Sequence, residues 1–385
     1  MKIIMSDEPS KLNESKSTAA FIWEIIPQYV DRCIKCHRCM DICPVTKGVF
    51  SIDDLNQATI KNKPVPSVIR EFSFHCTQCG KCVPVCPVTI RRDYMVRAIK
   101  SKVQNSKPWS YRRYLLVKGP NLGGLKNILQ KLFVFSKKIT QPNLACYMET
   151  TPVKKADVLF YPGCYIYSTE TVRQTLRLLH HIDTSFVVLG GVTTCCGAPY
   201  LLQGDFDKAD HCVTLLYDKI KAVEPKVIVT ACAECFETIE DIKKRYNEDF
   251  EVLTVIQYLL RNKQKFPKVK IKGKTMVYDS CRFTKDSPQG LAARTAVELF
   301  GTPVEQPYPQ GSSCCFQWNH GHDPGNAKRR KDYLDEVKKS ASTLACNCLT
   351  CYEELKKNQT DVEIIDTLQL FIDAIDATES KEEKP

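Results

Sequence analysis

Two copies of one cysteine spacing near the N-terminus constrain this chain more than any other feature. Each copy has three cysteines at intervals of three residues and a fourth four residues later, directly before a proline: Cys33, Cys36, Cys39 and Cys43 before Pro44, and Cys76, Cys79, Cys82 and Cys86 before Pro87. In two-cluster ferredoxins such a run ligates [4Fe–4S] cubanes, and its fourth cysteine binds the other cluster. The spacing therefore predicts one cubane on Cys33, Cys36, Cys39 and Cys86, and another on Cys76, Cys79, Cys82 and Cys43.

Two alternative interpretations of these cysteines are weaker. Zinc sites use two separated pairs of ligands rather than a run of three followed by Cys-Pro. The segment from Cys33 to His37 also fits the Cys-x-x-Cys-His pattern of covalent haem attachment. Both of its cysteines already belong to the cluster run, and residues 1–20 lack the apolar segment of an export signal. The stretch between the two runs, 52–74, is typical of helix and loop, which favours a helical ferredoxin domain.

Residues 156–375 repeat one plan twice. A short apolar run is followed by a cysteine, a helical pattern, an adjacent cysteine pair, another helix and a Cys-x-x-Cys element. The first half has Cys164, Cys195, Cys196, Cys232 and Cys235, and the second has Cys281, Cys314, Cys315, Cys348 and Cys351. Alternating short apolar runs and helices are typical of α/β domains. We expect two pseudo-symmetric halves whose cysteine sets face a common cleft.

Each set of five cysteines suggests a metal site larger than a single ion. Structural zinc takes four ligands, and adjacent cysteines are a poor pair for one tetrahedral ion. The residues alone predict a metal–sulfur site in each half, with buried, inert thiols as the alternative. Cys146, Cys212 and Cys346 are expected to be bystanders.

The chain accordingly divides into six parts. They are an N-terminal lead (1–30), the helical ferredoxin domain (31–100), a linker with an amphipathic helix (101–155), the two cysteine-rich α/β halves (156–265 and 266–375), and a charged tail (376–385) expected to be disordered. The fold class is thus multidomain: an α-helical ferredoxin domain followed by a duplicated α/β domain. The amphipathic stretch, 122–138, is expected to pack on its own protein; a membrane surface or a partner is the alternative.

Composition limits the expected cellular location, binding partners and cofactors of the chain. The 21 cysteines, without an apolar run of about 20 residues, favour a cytoplasmic protein whose thiols bind metal. The net charge of +11 includes basic pairs such as Arg91-Arg92, expected to be solvated or to dock an acidic partner, since no nucleic-acid recognition motif accompanies them. Neither a Gly-x-Gly-x-x-Gly fingerprint nor a Walker loop occurs, so no flavin or nicotinamide is expected in this chain. Electrons must then be exchanged with another subunit.

The combined motifs resemble one known superfamily over about residues 30–375. A repeated Cys…Cys-Cys-Gly…Cys-x-x-Cys pattern behind a two-cluster ferredoxin domain resembles the D-type subunits of heterodisulfide reductases. It is similar also to the C-type subunits of anaerobic glycerol-3-phosphate dehydrogenases and to glycolate oxidase iron–sulfur subunits. The resemblance implies a noncubane [4Fe–4S] cluster on each set of five cysteines, with a substrate disulfide cleaved between them.

The resemblance implies two functions. The first is an iron–sulfur oxidoreductase of heterodisulfide reductase type, in which the ten cysteines of the duplicated domain are catalytic and two cubanes supply electrons. The alternative is a non-catalytic subunit that carries electrons from a flavin-dependent dehydrogenase of glycerol-3-phosphate, succinate or a 2-hydroxy acid to quinone or cytochrome. Expected partners are a flavoprotein subunit, a b-type cytochrome, or both, with peripheral association at the inner face of the cell membrane. A zinc-based scaffold is a third, weaker hypothesis.

One departure from the family pattern lies in the second half. Cys195-Cys196 is followed by Gly197, but Cys314-Cys315 is followed by Phe316. Glycine permits a close backbone approach or a positive φ angle, so the second site is expected to differ from a standard noncubane site. His320 and His322 follow it; they are interpreted as ordinary histidines, with proton donation to a leaving thiolate as the alternative.

Overall fold

The computed structural model describes most of the chain. The described ranges are residues 17–46, 48–103, 154–163, 169–191, 194–270, 273–306, 314–315, 324–358 and 360–382, with single helical positions between 128 and 139. The predictions for Cys146, Cys164, Phe316, His320 and His322 therefore lie outside the described residues.

A helical region carries the two cysteine runs. Its helices are α1 (Thr18–Arg32), α2 (Arg38–Asp41), α3 (Ile52–Thr59), α4 (Ser67–His75) and α5 (Arg92–Lys102). Ser17 caps α1 by accepting a hydrogen bond from the Ala20 N–H, and Ser51 and Asp54 form a capping box at the start of α3. Because α3 and α4 occupy the segment between the runs, the prediction of helices there is confirmed.

The first cysteine-rich half contains a four-stranded parallel sheet. Its elements are β1 (Val158–Gly163), α6 (Thr169–His181), β2 (Phe186–Gly190), α7 (Ala198–Leu201), α8 (Phe206–Val223), β3 (Val227–Thr230), α9 (Ala233–Tyr246), β4 (Glu251–Thr254) and α10 (Val255–Arg261). The strand order is β2-β1-β3-β4, and every pair is parallel. Helices cover the sheet because fully apolar strands such as β1 must be buried on both faces.

The second half repeats this topology. It contains β5 (Lys274–Tyr278), α11 (Pro288–Phe300), β6 (Thr302–Val304), α12 (Pro324–Lys338), β7 (Thr343–Cys346), α13 (Leu349–Lys356), β8 (Glu363–Asp366) and α14 (Leu368–Glu382). Its order, β6-β5-β7-β8, matches the first sheet strand for strand, again in parallel pairs. The duplicated α/β architecture expected from the sequence is therefore observed.

The two halves pack reciprocally. Helix α6 contacts α14, and the equivalent helices of the opposite halves, α11 and α10, also contact each other. One apolar core crosses the junction and includes Phe160 and Val229 of the first half with Val277 and Phe371 of the second. In both contacts the first long helix of one half packs on the last helix of the other, as expected when two halves are related by a pseudo-twofold axis.

The helical ferredoxin region docks on the first half. At one contact, Asp210 of α8 accepts a hydrogen bond from the Thr18 N–H at 2.8 Å and another from Arg245 at 2.9 Å. At another, Gly204 has a φ of +75°, and a Cβ there would lie 2.4 Å from the backbone nitrogen of Ser101. Only glycine fits so close an approach of two backbones.

The expectation for the charged tail needs correction. The sequence predicts disorder from Asp376 onward, but α14 continues to Glu382. Its preceding turn is anchored by buried Ile372 and Ile375, and Arg177 forms ion pairs with Asp376 and Glu379.

The amphipathic stretch is described at only a few positions. Of its apolar side chains, Ile128, Leu132 and Phe135 are more than half exposed, as is Ile139 just beyond it, so the expected packing on the chain's own core is not seen at these positions. In the described part of the chain, no helix combines the length and the apolar character that crossing a membrane requires.

Candidate iron–sulfur centres

The first predicted cubane set converges at the surface of the ferredoxin domain. Its four cysteines line one cavity that is partly open to solvent: Cys33, Cys36, Cys39 and Cys86. Cys86 comes from the second run and joins the three cysteines of the first, which supports the crossed arrangement.

Polar groups around this cavity suit thiolate sulfurs. The Arg92 guanidinium donates to Cys33 Sγ at 3.0 Å, and the Ile90 N–H donates to Cys86 Sγ at 3.4 Å. Burial acts to raise the pKa of Cys33, but hydrogen bonds from Asn56 and the Lys35 backbone, and the charge of Arg92, lower it overall. A thiolate at Cys33 is thus stabilised before any metal binds.

The second predicted set also comes together. Burial, opposed by Lys100 and reinforced by Cys43 and Cys79, raises the pKa of Cys76 to about 12. Burial and then the neighbouring Cys79, Asp93, Cys76 and Cys43 raise the pKa of Cys82 well above its usual value. Cys43 acts on the pKa of both Cys76 and Cys82 and packs with them against one apolar cluster, which supports the crossed arrangement. Like charges that interact in this way would be costly without bound metal.

In the first half, the cysteines lie at the carboxyl ends of the strands. Cys195 and Cys196 follow β2, and Cys232 and Cys235 lie at the N-terminus of α9. The Sγ atoms of Cys196 and Cys235 are 3.6 Å apart. Parallel sheets bind ligands at this edge. The end of β1 approaches the same place, because a Cβ on Gly163 would lie 2.7 Å from Cys235 Sγ.

The second half brings its five cysteines together in the same way. The thiols of Cys281 and Cys314 are hydrogen-bonded to each other, and Cys351 is hydrogen-bonded to Cys315 and Cys348. The Cys351 thiol, together with backbone N–H groups that include that of Ala233, lowers the pKa of Cys348 to about 7 against the effect of burial. Ala233 belongs to the first half, so the two cysteine sets meet across the pseudo-twofold junction.

The chemistry of the donor sets is that of iron–sulfur ligands. Among the residues that the structure describes, no three His, Cys, Asp or Glu side chains are arranged to hold one metal ion. The sets consist of cysteine thiols, some of them with N–H donors to sulfur. Thiolate ligands with hydrogen bonds to their sulfurs are what iron–sulfur clusters require.

The structure shows why the first Cys-Cys-Gly element has a glycine at Gly197. Its φ is +82°, and a Cβ would lie 2.8 Å from the Ala209 carbonyl oxygen and 3.0 Å from the Cys212 Cβ. The expected positive φ is confirmed at this position, and the close approach of the backbone is to α8. Cys212 itself is a buried thiol of α8 that packs behind the site.

We expect Gly197→Ala to lower the free energy of unfolding by about 2–5 kcal/mol, because a left-handed backbone and an overpacked contact both add cost. The matched control is Gly273→Ala, where an added Cβ meets nothing within 4 Å. Anaerobic urea titration of the two variants provides the measurement. Equal stabilities would show that the close contact at Gly197 relaxes without cost.

The second cubane set and the second five-cysteine set are neighbours. The Cys281 thiol acts on the pKa of Cys79, which burial raises. A Cβ on Gly80 would lie 3.5 Å from the Cys281 carbonyl oxygen. No sequence pattern indicates which of the two halves lies next to the second cubane set. In the structure, this set lies against the second half.

A buried ion network joins the three domains at this junction. Arg282 donates to Glu234 at 2.9 Å and lies 3.8 Å from Asp93, which also pairs with Arg91 at 2.9 Å and Arg97 at 3.4 Å. The side chains of Arg282 and Asp93 are 4% and 1% exposed. Despite burial, these guanidinium groups lower the pKa of Asp93 far below its usual range.

This network corrects one sequence-based expectation. The sequence predicts a solvated or docking patch at Arg91 and Arg92, but Arg92 is 4% exposed and contacts Cys33, while Arg91 pairs with buried Asp93. The sequence does carry one indication of these buried roles, namely the position of the residues beside cysteines. Arg92 and Asp93 closely follow Cys86-Pro87, and Arg282 directly follows Cys281.

Comparison with known proteins agrees with these sites. A family model described as a 4Fe-4S dicluster domain matches residues 26–93, and one described as a cysteine-rich domain matches residues 158–240. No curated protein matches the chain. Two solved structures resemble it weakly over 59% of this chain and 100% of theirs: a proposed Asp/Glu racemase from Yersinia pestis (10% identity, TM-score 0.30) and PH1733, an aspartate racemase homologue from Pyrococcus horikoshii OT3 (11% identity, TM-score 0.27).

At such TM-scores these two similarities support no argument about fold or function. The family matches coincide with the crossed cysteine sets and with the first of two equivalent halves. The chain is therefore an iron–sulfur electron-transfer protein that joins a 4Fe-4S dicluster domain to a cysteine-rich domain, an architecture shared with the D-type subunits of heterodisulfide reductases and the C-type subunits of anaerobic glycerol-3-phosphate dehydrogenases.

Proposed function

We propose that this chain is an oxidoreductase subunit of heterodisulfide reductase type, which passes electrons to a disulfide or thiol site at the duplicated domain. The observation that carries the proposal is the approach of the second cubane set to the second five-cysteine set: Gly80, next to Cys79, lies so close to Cys281 that an added Cβ would be 3.5 Å from the Cys281 carbonyl oxygen. Cubanes on the two crossed sets would each supply a one-electron carrier.

The ends of this route have different surroundings. Cys36 of the first set is exposed, and the neighbouring Ile34 is 61% exposed, which suits electron exchange with a separate flavoprotein or cytochrome subunit. The cysteines of the second half are buried or half-buried among apolar residues and away from bulk water. Such a setting suits chemistry on sulfur, because exclusion of water strengthens the electrostatic effect of the surrounding N–H groups.

The overall reaction sets what the site must provide. Reduction of a disulfide breaks one S–S bond, consumes two electrons and two protons, and yields two thiols. The ferredoxin domain would deliver the electrons singly. The backbone N–H groups around Cys348 would hold negative charge on sulfur until protons arrive.

The proposal is tested by adding thiol to the oxidised, anaerobically purified protein and recording its electron paramagnetic resonance (EPR) spectrum. We expect about 16 irons per chain and a paramagnetic signal that appears with thiol. Cys281→Ala should abolish the thiol response, whereas Cys346→Ala, which removes a buried thiol of β7, should preserve it. A wild-type spectrum that ignores thiol would refute the disulfide chemistry.

The alternative is a non-catalytic subunit that carries electrons between a flavin-dependent dehydrogenase and quinone or cytochrome. Phe316 in place of glycine favours it, since that residue departs from the Cys-Cys-Gly element. Co-purification from the native host separates the two functions. A flavin dehydrogenase with a small-molecule substrate would favour the alternative.

A further inference from the structure

Tyr161 and Tyr278 occupy equivalent positions in the two halves. Each lies near the carboxyl end of the first strand of its sheet, where Tyr161 pairs with Thr230 and Tyr278 with Cys346. Both side chains are fully buried. Because the two halves are equivalent, the surroundings of these two tyrosines can be compared directly, each next to the cysteine site of its own half.

Their hydroxyl groups differ. The Tyr161 hydroxyl donates to the Thr194 carbonyl at 2.5 Å, directly before Cys195. The Tyr278 hydroxyl is buried and has no hydrogen-bond partner within the described part of the chain. A buried hydroxyl without a partner costs free energy, so such groups usually have a ligand to bind.

The surroundings of Tyr278 are the cysteines of the second half. Tyr278 packs in one cluster with Cys315, Cys348 and Cys351. A tyrosine hydroxyl carries a proton that it can donate, so it stands as a hydrogen-bond donor beside these sulfur atoms.

Other unsatisfied polar atoms surround the same site. Asn347 Oδ1 and Thr350 Oγ1 lie on the turn that carries Cys348 and Cys351, and both lack partners among the described residues. The same holds for Nε of Arg330, whose guanidinium donates to the Cys315 carbonyl at 3.2 Å. A concentration of unsatisfied atoms around one cysteine set indicates that a polar group belongs there.

We propose that the Tyr278 hydroxyl donates a hydrogen bond to a sulfur atom at the second five-cysteine site when that site holds its cluster. Hydrogen bonds to sulfur stabilise the reduced, more negative form and are a main determinant of cluster potentials. The Tyr278 hydroxyl therefore raises the potential of the second site, whereas the Tyr161 hydroxyl of the first half is already bonded to the Thr194 carbonyl. This inference rests on the proposed function, in that both sites must bind clusters.

The experiment compares Tyr278→Phe with the matched control Tyr161→Phe in the iron-loaded chain, by EPR-monitored reductive titration. The signal of the second site is identified as the one lost in Cys281→Ala. In Tyr278→Phe we expect that signal to need a lower potential, with the ratio of reduced to oxidised site changed about tenfold, or about 59 mV for one electron. Tyr161→Phe should leave it unchanged.

A second measurement guards against a purely structural effect. Tyr278→Phe removes no hydrogen bond of the described structure, so its iron content should equal that of the wild type. In D₂O, electron–nuclear double resonance should detect an exchangeable deuteron at the second site of the wild type. An unshifted titration, an equal shift in Tyr161→Phe, or no such deuteron would overturn the inference. An iron content of about eight per chain would overturn the proposed function as well, which distinguishes the two failures.

Discussion

Replacing Cys86 with alanine is expected to remove the first cubane and spare the second, although Cys86 belongs to the second cysteine run. The reason is geometric: Cys86 lines the cavity of Cys33, Cys36 and Cys39, whereas Cys43 lies with the second set. A cubane that loses one of its four thiolates loses a charged ligand. Iron content should fall by about four per chain.

Comparison of the spectra of three variants identifies which cluster is lost. The Mössbauer and EPR spectra of Cys86→Ala should match those of Cys33→Ala and differ from those of Cys76→Ala. Cys212→Ala serves as the control, because this buried thiol of α8 packs with Tyr200 and Ala209 rather than with a cubane set. If Cys86→Ala instead matched Cys76→Ala, each run would bind its own cluster and the crossed arrangement would be wrong.

The crossed sets are a prediction from determinants that are local in sequence. The spacing of Cys33, Cys36 and Cys39 fixes a tight turn, and the residue before Pro44 is a ligand by a rule that holds across two-cluster ferredoxins. The duplicated α/β plan is equally visible, since short apolar runs and helices recur in the same order in both halves. The Gly197 conformation follows from the same pattern.

What could not be predicted depends on segments that meet only after folding. Arg92 belongs to a basic pair in the sequence, but the packing of α5 against the first run places its guanidinium on Cys33. Arg282 becomes significant because Asp93 and Glu234, from two other domains, converge on it. Tyr161 and Tyr278 differ in whether the side-chain hydroxyl has a hydrogen-bond partner, and the hydrophobic pattern of a sequence carries no information about that.

Replacing Arg282 with methionine is expected to lower the free energy of unfolding by about 3–5 kcal/mol, the cost of leaving a buried charge without its partner. Glu234, whose side chain is 10% exposed, would lose its closest cation, and Asp93 would lose one of three. Since Arg282 follows Cys281, iron at the second five-cysteine site should also decrease. Anaerobic urea titration and iron content are the two measurements.

The matched control is Arg177→Met, which removes an arginine with two acidic partners at the surface. Arg177 is 43% exposed, and its partners Asp376 and Glu379 are 51% and 63% exposed. Exposed ion pairs contribute about 0–1 kcal/mol, so this variant should remain close to the wild type. A similar loss in both variants would mean that the Arg282 network is as well solvated as a surface pair.

A double variant separates the two causes of the loss at Arg282. If the cost arises from the uncompensated carboxylate, Arg282→Met combined with Glu234→Met should be more stable than Arg282→Met alone, because apolar side chains then replace the whole pair. If the cost arises from lost packing between the domains, the double variant should be less stable still. The first outcome is expected, since the Arg282 Nε to Glu234 Oε1 distance of 2.9 Å indicates a direct, buried charge pair.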